Sequence, residues 1–121
     1  MNVSNDNNWV EDLAPANDID VTINSTNDTI SWDASAISAI ETLTLGSNYT
    51  GALTLNKDLL VATSVSLNQT TQPLILAKTI TSANYTFATP TKLQINIANT
   101  PDGTGNHGSN GKLIQTAGNP A

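Results

Sequence analysis

This 121-residue chain contains no cysteine, no arginine and a single histidine. Without cysteine, a disulfide framework, a cysteine-based zinc site and a thiol nucleophile are all excluded. The other basic side chains are four lysines, and the formal net charge at pH 7 is −6. Binding to nucleic acid needs clustered cations that release counterions from phosphate. We therefore expect neither a nucleic acid nor an anionic membrane surface as a partner.

Charged and aromatic residues are scarce, at 12% and 4% of the chain. Thr, Asn and Ser take the place of the charged residues, and Ile and Val are frequent. Because β-branched residues favour strands and disordered chains usually lack them, the composition indicates a folded, β-rich single domain. No stretch is apolar enough to insert into a bilayer, and the polar, acidic first eight residues do not resemble a signal peptide.

One short pattern recurs along the chain: an apolar residue, a small hydroxyl residue, a second apolar residue and a turn former. It occupies residues 21–24, 43–46 and 65–68, at a constant interval, and one further step of the same size reaches Phe87. The two apolar residues of each copy are two positions apart, so both face the same side of a strand. A fixed period of this length is typical of repeat architectures, in which stacked units share one core.

The repeats predict an all-β fold, a short parallel β-helix (β-solenoid) of about four 22-residue coils. Each coil would contain about three short strands, and neighbouring coils would lie about 4.8 Å apart. The predicted inward ladder consists of Val21, Ile23, Leu43, Leu45, Leu53, Leu55, Val65, Leu67, Leu74, Leu76 and Phe87. Thr22, Thr44 and Ser66 would face outward. A β-sandwich or jelly roll with evenly spaced short strands is the alternative.

The sequence divides into three predicted segments. Residues 1–18 carry no strand pattern and are interpreted as an N-terminal cap, with Trp9 covering the first coil, because solenoid ends expose strand edges that caps hide. Residues 19–98 contain the repeats. Residues 99–121 are a Gly- and Asn-rich loop with a C-terminal tail, in which residues 112–115 could add one last strand.

Charge is distributed unevenly along the sequence. Eight of the ten acidic residues precede residue 42, and all four lysines follow it. This distribution either arises by chance or gives the folded solenoid an acidic end and a mildly basic end, an arrangement suited to head-to-tail contact.

No set of residues predicts catalysis, and no cofactor is expected. His107 lies in the Gly-rich loop without a partner arranged for a triad, so it is interpreted as a solvated loop residue. Asp18 and Asp20 are two residues apart at the start of the first strand, where they could bind Ca²⁺ or could protect an edge strand. Trp9 and Trp32 could stack on sugars, although the alternation of Trp32 with Ile30 favours packing in the core or the cap.

The order of Asn8-Trp9, Pro15 and the Asp-Ile-Asp-Val-Thr-Ile run at residues 18–23 resembles the start of the repeats in bacterial adhesin-like β-helix proteins. In those proteins a Trp and a Pro precede an Asp-rich Val-Thr-Ile strand, and strands of the Leu-Thr-Leu type follow, as at residues 43–45 and 53–55 here. Tailed-phage surface proteins share this style of β-solenoid. They are made without a signal peptide, assemble as trimers or lattices, and tend to be small, poor in Cys and rich in Thr and Asn.

These resemblances imply a non-enzymatic structural protein. It would form a homo-oligomer, as a trimer or filament, or dock on capsid or other assembly proteins. The predicted setting is a virion surface, with the chain as a decoration or fibre-type subunit. The alternatives are an extracellular adhesin or filament subunit at a microbial cell surface, and a carbohydrate-binding module that uses Trp9 or Trp32 to bind glycans.

Overall fold

The computed structural model describes residues 1–9, 14–24, 26–69, 71–87, 93–95 and 111–116. These residues contain one 3-10 turn, Asp6–Asn8, and nine strands. The strands are β1 (Asp20–Ile23), β2 (Ile30–Trp32), β3 (Ala39–Leu45), β4 (Leu53–Leu55), β5 (Leu59–Leu67), β6 (Leu74–Leu76), β7 (Thr79–Phe87), β8 (Leu93–Ile95) and β9 (Lys112–Gln115).

All strand pairs among the described residues are parallel. The odd-numbered strands form one sheet in the order β1-β3-β5-β7-β9, and the even-numbered strands form a second sheet in the order β2-β4-β6-β8. The chain thus alternates between the sheets, and each strand lies beside the strand two earlier in sequence. This is a parallel β-solenoid of about three turns, which confirms the predicted fold. A β-sandwich would require antiparallel pairs instead.

The long strands of the odd-numbered sheet each contribute to two faces. The register shifts in the middle of β3 and of β5, and such irregularities bend a strand. β1 pairs only with the second half of β3, and β9 pairs only with the first half of β7. We call the even-numbered sheet face A. Face B consists of the first halves of β3, β5 and β7 with β9, and face C consists of β1 with their second halves.

The repeated apolar residues form the core that the sequence period predicts. On face C, Val21 pairs with Leu43 and Leu43 with Val65, and all three side chains are buried. The next column on this face contains Ile23, Leu45 and Leu67, and face A contributes Ile30, Leu53, Leu74, Trp32, Leu55 and Leu76. Full burial of one such aliphatic side chain is worth roughly 1.5–3 kcal/mol, so the stacked columns hold the coils together.

The residues predicted to face outward do so. Thr22 is exposed, and Thr44 and Ser66 are partly exposed, each standing beside its neighbour in the next coil. Successive residues of a strand point to opposite sides, so these hydroxyls alternate with the buried columns on either side.

Phe87 lies in an inward column, but not in the column of Val21, Leu43 and Val65 that the sequence period predicts, and it is not buried. Val65 pairs with Tyr85, and Phe87 lies beside Leu67. Fewer residues therefore separate the last pairing partners on face C than separate the two pairs before them. There are fewer because one residue, Ala83, separates the two halves of β7, where β5 has two residues at the corner. Phe87 is 45% exposed because β9 covers only residues 79–82 of β7.

The last coil contains an insertion. On face B, the number of residues between pairing partners is the same from Ala39 to Leu60 as from Leu60 to Thr81. From Thr81 to its partner Ile114 this number is about half as large again. β9 is the last strand that the sequence suggested at residues 112–115, so the sheet continues beyond residue 98. Most of the predicted Gly- and Asn-rich loop lies outside the described residues.

Candidate functional site: the two ends of the solenoid

Asp18 and Asp20 do not lie together on one strand face. Asp18 precedes β1 in a turn, with a backbone φ of 61°, so the alternation of a strand does not relate it to Asp20. Asp20 accepts a hydrogen bond from the Thr42 hydroxyl in the next coil, at 2.7 Å. Across the described residues, no group of three or more His, Cys, Asp or Glu side chains could hold a metal ion.

The two tryptophans occupy different environments. Trp32 is fully buried, and its indole N–H donates to the carbonyl of Ile37 at 2.8 Å, so it presents no ring face to a sugar. Trp9 is partly buried against the core, and its indole N–H donates to the carbonyl of Val3 at 2.9 Å. His107 lies outside the described residues.

The first three residues extend face A at its N-terminal edge. Asn2 forms a parallel bridge with Ser31, the backbone N–H of Val3 donates to the Ser31 carbonyl at 2.9 Å, and the N–H of Ser31 donates to the Met1 carbonyl at 2.7 Å. Val3 is fully buried in the core. These contacts add residues 1–3 to the edge of β2, while the division into an N-terminal cap at residues 1–18, repeats and a tail stays a prediction.

Asp33 fastens this N-terminal segment to the first coil. Its carboxylate accepts a hydrogen bond from the Ser4 backbone N–H at 2.9 Å and another from the Ser4 hydroxyl at 2.5 Å. Partial burial raises the pKa of Asp33, but the hydrogen bonds from Ser4 outweigh it and the pKa lies below its ordinary value. Sequence reasoning missed this residue, since no pattern pairs a Ser with an Asp so far along the chain.

A cavity of about 130 Å³ separates the N-terminal segment from the first coil. Its walls combine apolar side chains, among them Val3, Trp9 and Ile23, with polar ones, among them Asn8 and Asn24. An apolar cavity of about 150 Å³ can hold one benzene ring, whereas drug-sized ligands need roughly 300–1,000 Å³. The cavity is therefore of the size that accepts one side chain rather than a sugar or a cofactor.

The C-terminal end of face C is open within the described part of the chain. Residues 84–87 have no described strand on their C-terminal side. The Tyr85 hydroxyl donates to the Ile114 carbonyl at 2.8 Å, and burial raises the pKa of Tyr85 to about 12. The ring of Phe87 stacks parallel to that of Tyr85, with 6.2 Å between the ring centroids.

Five large apolar side chains are exposed in the described part of the chain; Ile19 immediately precedes β1, and the other four separate into two groups by position. Met1 and Phe87 belong to inward columns and are exposed at opposite ends of the stack, 47% and 45% respectively. Leu60 and Ile114 instead stand at outward positions of face B, where single exposed apolar residues are ordinary.

Charged side chains differ between the two ends. The carboxylates of Asp6, Asp18 and Asp20 are exposed at the N-terminal end, and Lys112 is exposed on the last strand of face B. Among the described residues, carboxylates thus predominate at the N-terminal end, beside the exposed ammonium group of Met1, and a lysine lies at the other end.

Comparisons with known proteins add no family to this fold. No protein-family model matches the chain, and neither the curated proteins nor the solved structures gave a match. In the described part of the chain, no helix has the length and apolar character needed to cross a membrane. The class of the protein is thus given by its architecture, a parallel β-solenoid.

Proposed function

We propose that this chain is a non-enzymatic structural unit that assembles through the ends of its solenoid, with itself or with a larger assembly. One observation carries this proposal: the inward column of Ile23, Leu45 and Leu67 continues to an exposed Phe87, which lies on an open strand edge of the described chain. Open edges of parallel sheets offer unpaired N–H and C=O groups, and they readily add further strands.

Polar side chains outside the core also suit a structural role, because they tie each coil to the next. The Thr42 hydroxyl donates to Asp20, and the Thr63 hydroxyl donates to Glu41, each to a residue one coil earlier. Lys57 donates to the carbonyls of Ala34 and Ala36, at 3.1 and 2.6 Å. Such contacts stiffen the stack along its axis, the direction in which an assembled rod carries load.

Two settings predicted from the sequence suit such a unit, the virion surface and the microbial cell surface, and both stay predictions. The genes beside this one discriminate between them, since capsid and portal genes favour the first and a secretion apparatus favours the second. The carbohydrate-binding alternative is weakened, because Trp32 is fully buried and Trp9 is partly covered.

Light scattering of the purified chain over a wide concentration range tests the assembly. We expect the average mass to rise with concentration, while circular dichroism shows unchanged β-structure. A folded protein that remains monomeric at every concentration, and that binds no component of a virion or cell surface, contradicts the proposal.

A further inference from the structure

One inward column of face A runs from one end of the molecule to the other. Since Asn2 pairs with Ser31, Met1 lies beside Ile30, and the column then continues through Leu53 and Leu74 to Leu93. Met1 is exposed and Leu93 is partly buried. A second copy whose residues 1–3 lie against β8 would place Met1 over Leu93 and continue the column.

The same placement brings a side chain and a cavity together on face C. Residues 1–3 lie one coil before β2, and at that level the described residues place on face C no strand but the cavity beside Ile23 and Trp9. Phe87 ends the column to which Ile23 belongs. With residues 1–3 of one copy on β8 of another, the exposed ring of Phe87 therefore faces this cavity, which has the size of one ring.

Charge favours the same orientation. The N-terminal end carries the exposed carboxylates of Asp6, Asp18 and Asp20, and the C-terminal end carries Lys112. Opposite charges attract when unlike ends approach, whereas two N-terminal ends would repel each other.

We propose that the partner of the C-terminal end is a second copy of this chain, docked head to tail, with residues 1–3 added to β8 and Phe87 seated in the cavity between Trp9 and the first coil. This inference rests on the proposed assembly through the solenoid ends. It specifies the partner as the chain itself and the contact as heterologous, so that repetition builds a filament or closes a ring.

Cysteine cross-linking tests the orientation, and the absence of native cysteine makes it specific. Asn2→Cys and Gln94→Cys place thiols at two exposed positions that pair in the proposed contact. Within one chain these positions are four strand-to-strand spacings, or roughly 19 Å, apart. A disulfide needs Cα atoms within about 7 Å, so the two cannot react within one molecule.

We expect the two single variants, mixed and mildly oxidised, to give heterodimers, and the double variant to give a ladder of oligomers. Homodimers of Asn2→Cys alone or of Gln94→Cys alone would establish a like-end contact and overturn the head-to-tail arrangement. Assembly by light scattering without any cross-link would overturn it too, while leaving the proposed function intact. A wild-type chain that does not assemble at all would contradict both the head-to-tail contact and the proposed function.

Phe87→Ser and Leu60→Ser form a matched pair, because both side chains are about half exposed and only Phe87 lies at an end. We expect Phe87→Ser to raise the dissociation constant of the assembly roughly tenfold or more, and Leu60→Ser to leave it unchanged. Thermal melting confirms that each variant is folded. Equal effects of the two substitutions, or no effect of Phe87→Ser, would contradict the seating of Phe87 in the cavity.

Discussion

On face C, the inward residues of the middle coils are completely buried, whereas those of the last coil are not. Leu43 and Val65 have no exposed area, but Tyr85, the next residue in their column, is only partly buried and Phe87 is 45% exposed. The same alternation of apolar and polar residues produces both results. The difference lies in the neighbours, because a middle strand has a partner on both sides, whereas the second half of β7 has one within the described residues. Regular coils thus provide the buried core, and the binding surface that we propose lies at the ends of the described stack.

The largest expected contrast comes from placing a carboxylate in the middle of the stack. Leu43→Asp should abolish folding, because it buries a charge with no partner, whereas Thr44→Asp should be mild, because Thr44 faces outward. At the end of the stack, Phe87→Asp should cost only about 1 kcal/mol of unfolding free energy. Chemical denaturation followed by circular dichroism measures all three. Similar losses for Leu43→Asp and Phe87→Asp would remove the distinction between middle and end.

The same contrast holds for Leu53→Asp on face A, which should also abolish folding. Leu53 is completely buried between Ile30 and Leu74, so the argument for Leu43 applies without change.

The glycines at the corners of the middle coils should produce the next largest effects. A β-carbon on Gly51 would overlap the backbone carbonyl of Asp28 in the preceding coil, and that backbone cannot move aside. We expect Gly51→Ala to cost about 1–3 kcal/mol, which is typical of overpacking. A β-carbon on Gly46 would meet the Asn24 side chain instead, which accepts a hydrogen bond from the Asn48 N–H.

A double substitution separates these two corners. Asn24→Ala should restore part of the stability lost in Gly46→Ala, because it removes Oδ1 and Cγ, the two atoms closest to the new methyl group, and leaves only the β-carbon, at 2.8 Å. No single side chain can be removed to relieve Gly51→Ala. If thermal melts show that Asn24→Ala has no effect in the Gly46→Ala background, the close approach of these residues is not the cause of the loss.

Sequence periodicity predicts the middle of the molecule better than its ends. Val21, Leu43 and Val65 follow a fixed step because each intervening coil has corners of nearly constant total length. The sequence period assigns Phe87 to the wrong column because β7 has one residue at its corner where β5 has two. No local pattern in the sequence signals this difference. Tyr49 lies outside the repeated strand pattern, yet it is completely buried, and the periodicity gives no sign of this.

Some features of the candidate site could likewise be predicted from the sequence, and others could not. The opposite charge of the two ends could be predicted, because it depends only on the order of acids and lysines along a stacked chain. The cavity could not, because it depends on how residues 1–3 dock against Ser31 and how Ser4 meets Asp33. Contacts between distant, non-repeated residues leave no periodic signal in a single sequence.

Raising the pH should lower the free energy of unfolding, because the hydroxyl of Tyr49 in the middle of the molecule ionises. Its hydroxyl donates to the Asp28 carbonyl at 3.0 Å, and burial raises its pKa from 10.0 to about 12. The unfolded chain therefore ionises first, so the stabilisation is complete below pH 10 and is lost as the pH rises towards 12. Tyr85, at the C-terminal end, has the same raised pKa. Unfolding free energies measured between these pH values should fall less steeply for Tyr49→Phe than for the wild type, and an unchanged slope would contradict the assignment.

The smallest expected effect concerns the hydrogen bonds of the N-terminal segment at low pH. Because the pKa of Asp33 is lowered in the folded chain, its contribution is present above the unfolded value of 3.8 and is lost as the pH falls through the folded value. Asp33→Asn should cost about 0.5–1 kcal/mol locally, since it removes the charge of the group that accepts both hydrogen bonds from Ser4 but keeps one amide oxygen as an acceptor. Hydrogen exchange should show the Val3 amide, which is bonded to Ser31, losing protection in this variant, while the Leu43 amide in the middle of the stack keeps its protection. Equal loss at both amides would mean that the N-terminal segment and the middle coils unfold as one unit, and the contrast between end and middle would then not extend to the N-terminal end.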